Sequence, residues 1–212
     1  MAPLSKRMNP CLAHERSCLF VLSRDLPIIW LISRCVIAIL LALNQGARHR
    51  RSIEATVLEL DSGATITDII AICRYFEELH PDPVLMGRSA EERAVIESWL
   101  RRIEWDGIYA AQEAFRNATP GLKGRALPGP VSLEQIPALA ERGRLRLQHF
   151  FAWLDTRLAD NEFVCGPYFT IADISGMVAV DFSAWAKLRP PEHFGHLQRW
   201  HKDVSKRPSA NA

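Results

Sequence analysis

A chain of 212 residues can bury a sizeable core as one unit or as two small domains. Its 48% apolar and 24% charged residues are those of a globular chain, and a net charge of +2 supplies no global attraction to nucleic acid. Five cysteines without CxxC spacing, and seven scattered histidines without HExxH, argue against a disulfide scaffold or a metal site and fit a reducing compartment.

Residues 1–25 are mixed, with a basic tone from Lys6, Arg7 and Arg16. Residues 26–43 form the most apolar run, close to the minimum of about 17 residues for a membrane helix. Pro27 breaks its start, and Arg34 sits mid-run, where a charge costs about 2.5–3.5 kcal/mol on insertion scales. The run therefore reads first as a buried strand and helix, second as a membrane anchor, and third as a stretch that is not the native start of the chain. Arg48, His49, Arg50 and Arg51 are the only tight basic run and read as a solvated loop.

Residues 55–66 predict a β-hairpin, with Val57–Leu60 and Ala64–Ile66 around the turn residues Asp61-Ser62-Gly63. An amphipathic helix follows from Thr67 or Asp68 to Leu79, with Ile69, Ile72, Tyr75, Phe76 and Leu79 near one stripe and Pro81 as its stop. Thr67 reads as its cap and Asp68 as a complement to its dipole. Pro81 to Gly87 reads as a linker. Ser89 and Glu92 then form a capping box for a long helix carrying Val95, Trp99, Ile103 and Trp105 towards Phe115. A Gly/Pro-rich loop spans Lys123 to Pro130. Ser132 with Gln135 predicts the cap of a helix running through Leu139, Leu145, Leu147, Phe150, Phe151, Leu154 and Leu158 to about Asp160.

The strongest signal lies at Phe169–Trp185. Thr170 and Asp173 make a capping box, Phe169 and Ile174 a hydrophobic staple. Ile171, Ile174, Val178, Phe182 and Trp185 recur at helical spacing, while Ala172, Ser175, Gly176 and Ala179 keep another side small. A helix apolar on most sides belongs at the centre of a helical domain. It is broken after Leu188 by Pro190-Pro191, and a last helix spans about Glu192 to Val204.

Phe169-Thr-Ile-Ala-Asp-Ile174, with Asn161-Glu-Phe-Val-Cys-Gly166 before it, resembles the core helix of the glutathione transferases. The resemblance extends through Trp200 and Arg207-Pro208-Ser209, and back to Val57–Gly63 and Ala71–Pro81. It implies an α+β chain in three parts: an atypical segment 1–56, the second half of a thioredoxin-like glutathione-binding domain at 57–80, and an all-helical domain at 88–212. The thioredoxin-like part is then incomplete or degenerate in its first half. It further implies a cytoplasmic homodimer and two small-molecule partners, glutathione and an apolar electrophile. Glutathione is a co-substrate in that scheme; no cofactor, metal or nucleic acid is called for.

In the family a hydroxyl or cysteine at the end of the first strand lowers the thiol pKa of glutathione. Ser5, before Asn9-Pro10, is the faint candidate here, beside Ser17, Cys11 and Cys18. The family's Val-Pro, a cis-proline beside the strand edge that pairs with the tripeptide, reads Ala55-Thr56. Its acidic-residue-then-serine pair, which grips the γ-glutamyl end, reads Thr67-Asp68. The resemblance thus places glutathione at Ala55, Thr67 and Asp68, and the second substrate against Trp105 and Tyr109; aromatics at that spacing also suit a core. Thr170 and Asp173 are structural, Arg101, Arg102 and Glu104 a solvated or dimer-facing edge, and Cys73 and Cys165 small buried apolar groups. Two functions stay open: conjugation of the glutathione thiol to small apolar electrophiles, or a non-catalytic or truncated relative that binds or dimerises. The missing proline favours the second.

Overall fold

The computed structural model describes residues 58–60 and 62–211. The expectations for the earlier residues, Ser5, Cys11, Ser17, Cys18, the apolar run at 26–43, the basic run and Ala55-Thr56, lie outside them. So does the first half of the thioredoxin-like part.

A short antiparallel hairpin comes first. Strand β1 (Leu58–Glu59) pairs with β2 (Thr65–Ile66), Leu58 opposite Ile66. Gly63 closes the turn at φ 81°, where a side chain is strained. Helix α1 (Ile69–Leu79) follows. Its cap is Asp68, not Thr67: the Asp68 carboxylate accepts from Ala71 N–H at 2.8 Å. The sequence offers two oxygen-bearing residues in succession, and only the backbone decides which one sits at the extended cap position. The inner face of α1 is Ile72, Cys73, Phe76 and Glu77, so Leu79, expected on the stripe, is exposed. Glu77 enters the core because its Oε1 accepts from Leu85 and Met86 N–H at 2.9 and 2.8 Å, clasping the linker.

Helix α2 (Ala90–Ile103) begins at the predicted Ser89 cap, whose hydroxyl accepts from Glu92 N–H at 3.0 Å while Glu92 accepts from Arg88 N–H. It runs without a break through a π turn (Glu104–Ile108) into α3 (Tyr109–Ala118). The buried row is Ile96, Leu100 and Ile103, then Gly107, Ala110, Ala111 and Ala114. Val95 and Trp105, expected on it, are exposed, and Trp99 is half-buried. Ile103 is buried as expected; before it the buried row runs one residue later than expected, at Ile96 and Leu100, and after it the wide turn shifts the phase by inserting a residue. That turn is held close by Gly107, whose Cβ would stand 2.9 Å from Ala179 Cβ and from the Phe150 ring.

Helix α4 (Pro137–Ala159) starts with proline at its first position. The Ser132–Gln135 cap is not formed. Ser132 instead donates to Gly124 O, and Gln135 donates to Arg116 O and Thr119 O, both at 2.7 Å, strapping the Gly/Pro-rich loop onto the end of α3. Arg116 O is one of the last four carbonyls of α3, which have no partner within the helix. Helix α4 packs along α3 at close range: a Cβ on Gly143 would lie 2.6 Å from Ala114 N and 2.7 Å from Ala110 O. Leu145, expected in the core row, faces solvent.

Helix α5 (Ile171–Ser183) is buried at every residue but Asp181 and packs on α2, the π turn, α3 and α6. It ends in a 3₁₀ turn (Ala184–Ala186), with Lys187 left-handed at φ 57°. Helix α6 (Gly195–Ser205) buries Leu197, Trp200 and Val204. The predicted capping box of α5 forms. Asp173 is fully buried and accepts from Thr170 N–H, Val164 N–H and Trp200 Nε1–H, each at 2.9 Å, and from the Thr170 hydroxyl at 3.2 Å. One carboxylate therefore joins the preceding loop, α5 and α6. Burial raises its pKa against the pull of those four hydrogen bonds.

Candidate functional site

Helices α1 and α2 run side by side in opposite directions, as their charge pairs record. Glu78 faces Arg93 at 3.8 Å, and Arg74 faces Glu97 at 2.7 Å. Continuing in the same register brings the start of α1, with Thr67 and Asp68, to the π turn beyond α2. Here the pairing changes sign. Asp68 acts on Glu104, carboxylate against carboxylate, and the nearby cation is Arg101, which bridges Glu97 at 3.0 Å and Glu104 at 2.5 Å.

The Glu104 pKa is raised, first by burial, then by Asp68 and Glu97, against Arg101. Tyr109, one turn along, is raised first by burial and then by the Glu104 carboxylate, with a further push from Asp68. Its phenol is therefore protonated at neutral pH and is a hydrogen-bond donor without a charge. Tyr109 packs edge-to-face with Trp105, ring centres 5.7 Å apart. Both rings are open to solvent, Trp105 at 65% and Tyr109 at 45%.

Four of the residues singled out in the sequence stand near this meeting of α1 with the π turn. Thr67 is half-buried and released from capping; Asp68 is committed to it; Trp105 and Tyr109 form an exposed aromatic wall. Thr170 and Asp173 stand apart from it, inside the helical core. Glu104 is half-buried, pairs with Arg101 and lies within electrostatic reach of Asp68 and Tyr109. No spacing rule could reveal that, because it depends on how α1 docks on α2 and on the π turn. The start of α1 carries exposed amides and the positive end of the helix dipole, an arrangement suited to a carboxylate, with Asp68 and Glu104 supplying negative charge beside it for an amine.

Two cysteines lie among the described residues. Cys73 is buried, and burial pushes the Cys165 thiol up to about 11. No group of three or more histidine, cysteine, aspartate or glutamate side chains among the described residues is arranged to hold a metal ion. No helix among them is long and apolar enough to cross a membrane.

Residues 129–208 match the family described as glutathione S-transferase, C-terminal domain. Over 154 residues the chain is 35% identical to glutathione S-transferase 2 of Saccharomyces cerevisiae, a match covering 72% of this chain and 64% of that protein. The chain thus spans just under two thirds of the length of that relative. Among solved structures, a glutathione S-transferase domain-containing protein of Marinobacter aquaeolei is similar at 37% identity and a TM-score of 0.65, over 72% of each chain. Gtt2 of Saccharomyces cerevisiae is similar at 29% identity and a TM-score of 0.68, over 87% of this chain and 93% of that one.

Proposed function

The chain belongs to the glutathione S-transferase family, and on that footing we propose that it is a glutathione transferase joining the glutathione thiol to small apolar electrophiles. The observation that carries this reading is the meeting of the start of α1 with the π turn. Asp68, next to Thr67, lies within electrostatic reach of Glu104 and Tyr109, and Tyr109 packs on Trp105. In this reading the Thr67 hydroxyl and the first amides of α1 hold the γ-glutamyl carboxylate, and Asp68 with Glu104 draws its ammonium group. Ala55 pairs with the tripeptide backbone, and the electrophile lies against Trp105 and Tyr109.

A free thiol of this kind titrates near pKa 8.5, so conjugation at neutral pH needs a donor that favours the thiolate. Ser5 is the candidate for that role. The thiolate sulfur then attacks the electrophilic carbon, a C–S bond forms, and the leaving group departs with its electron pair. Holding both reactants in one cleft supplies the proximity. The protein would work as a cytoplasmic homodimer.

Titration calorimetry with reduced glutathione tests the reading. Saturable binding that Thr67→Val weakens by tenfold or more supports it, as does turnover of a chloronitroarene by the wild-type chain. A second reading rests on Ala55-Thr56, which lacks the family's proline: a relative that binds or dimerises without catalysis. No glutathione binding by a cooperatively folded chain would replace the first reading with the second.

A further inference from the structure

The π turn hands one backbone carbonyl to another element. In an α-helix the Tyr109 N–H would bond Trp105 O, four residues back. Here it bonds Glu104 O, five residues back. Trp105 O accepts instead from the guanidinium of Arg146, a half-buried residue of α4. The same guanidinium covers the Trp105 ring at 5.6 Å and stands 3.6 Å from Asp106 in the turn and 3.7 Å from Glu113 in α3. One side chain therefore touches the wide turn at two successive residues and also the helix beyond it. On its buried side the turn rests against α4 and α5 through Gly107.

The wide turn changes which side chains stand together. Residues five apart on an α-helix point about 140° from each other, at about 100° per residue. A bond from residue i to i+5 closes one turn over those five residues, so Glu104 and Tyr109 come to the same side. The Glu104 carboxylate accordingly acts on the Tyr109 phenol, and Tyr109 packs on the Trp105 ring. A backbone carbonyl withdrawn from the helical ladder needs another donor, and Arg146 supplies it.

We propose that Arg146 is a positioning residue for the electrophile: by taking the Trp105 carbonyl it holds the π turn in place and so keeps Glu104, Trp105 and Tyr109 on one face. The proposal rests on the reading that the electrophile lies against Trp105 and Tyr109. Without that donor the wide turn moves along the helix, Tyr109 N–H returns to Trp105 O, and Tyr109 turns away from Glu104.

The test is ultraviolet titration of the tyrosines in Arg146→Met and Arg146→Lys, with the conjugation kinetics of chlorodinitrobenzene measured beside it. The Tyr109 pKa is raised first by burial and then by Glu104. Removing a cation raises a nearby phenol further, whereas moving Tyr109 away from Glu104 lowers it, so the sign separates lost charge from a moved turn. In the methionine variant the titration of one of the three tyrosines should shift down. The KM of chlorodinitrobenzene should rise about fivefold or more, while the calorimetric Kd of glutathione stays within about twofold of wild type. The lysine variant keeps a cationic donor and should restore all three values. Arg146→Gln, shorter and uncharged, takes the place of the methionine variant if that chain does not fold. A titration that stays put or moves up in the methionine variant, or a glutathione Kd that weakens as much as the KM rises, would overturn the proposal. A wild-type chain that conjugates nothing would remove the transferase reading and with it the electrophile, while the titration still decides whether Arg146 holds the turn.

Discussion

Replacing Asp173 by alanine removes the acceptor shared by three elements of the fold. Val164 N–H, Thr170 N–H and Trp200 Nε1–H, each 2.9 Å from the carboxylate, lose their partner together. A buried donor left unsatisfied costs about 1–3 kcal/mol. Relief of the buried charge offsets part of that sum, leaving a net loss of about 4 kcal/mol. For a chain of this size each kcal/mol shifts the melting temperature by roughly 2–4 °C, so the midpoint should fall by about 8–16 °C. Asn at 173 retains a carbonyl for Val164 and Trp200 but turns an amide N–H₂ towards Thr170 N–H. Losing that arm of the cap costs about 1–2 kcal/mol. Equilibrium unfolding in urea, followed by circular dichroism, orders the three proteins. The pH dependence has a definite sign. Because burial raises the native pKa, the native state binds the proton more tightly. The stability tied to this group is fully present below its unfolded pKa, near 3.9, and is lost as pH rises through the native value. The advantage of wild type over Asp173→Asn should therefore widen as pH is lowered from 7. A loss below 1 kcal/mol in the alanine variant, or a gap that narrows on acidification, refutes the reasoning.

Gly143→Ala should destabilise by about 3 kcal/mol in the same assay, since its methyl group would meet the α3 backbone at 2.6–2.7 Å and neither helix can yield locally. Lys187→Gly should stabilise by about 0.5–1 kcal/mol, because the left-handed conformation at φ 57° strains a side chain and glycine adopts it freely. A melting temperature that does not rise would show that the Lys187 stem packs well enough to repay the strain. Glu104→Gln removes the charge that pushes the Tyr109 phenol up. Ultraviolet titration of the tyrosines should then show one of the three shifting down towards the ordinary value near 10. An unchanged titration would separate Glu104 from Tyr109.

Much of the helical part could be read from residue order alone, because its determinants are local. Thr170 and Asp173 lie one helical turn apart, so hydroxyl, carboxylate and amides are in reach of each other whatever the rest of the chain does. The same holds for Ser89 and Glu92, and for Gly63 in its turn. Apolar spacing likewise announced that α5 would lie inside.

What residue order could not decide depends on groups distant in the chain. Ser132 and Gln135 have the composition of a cap, yet the carbonyls of Arg116 and Thr119 at the end of α3 compete for Gln135 and win. Val95 and Trp105 share a helix with Ile96, Leu100 and Ile103, but which row faces inward is set by the partners of α2 and by the residue that the π turn inserts. Glu104 reads as one more surface charge until α1 docks antiparallel to α2 and brings Asp68 against it. Local hydrogen bonding thus determined where α2 and α5 begin. Only the packing of one helix on another, where the geometry of the backbone sets the distances, decided which charges and rings stand together.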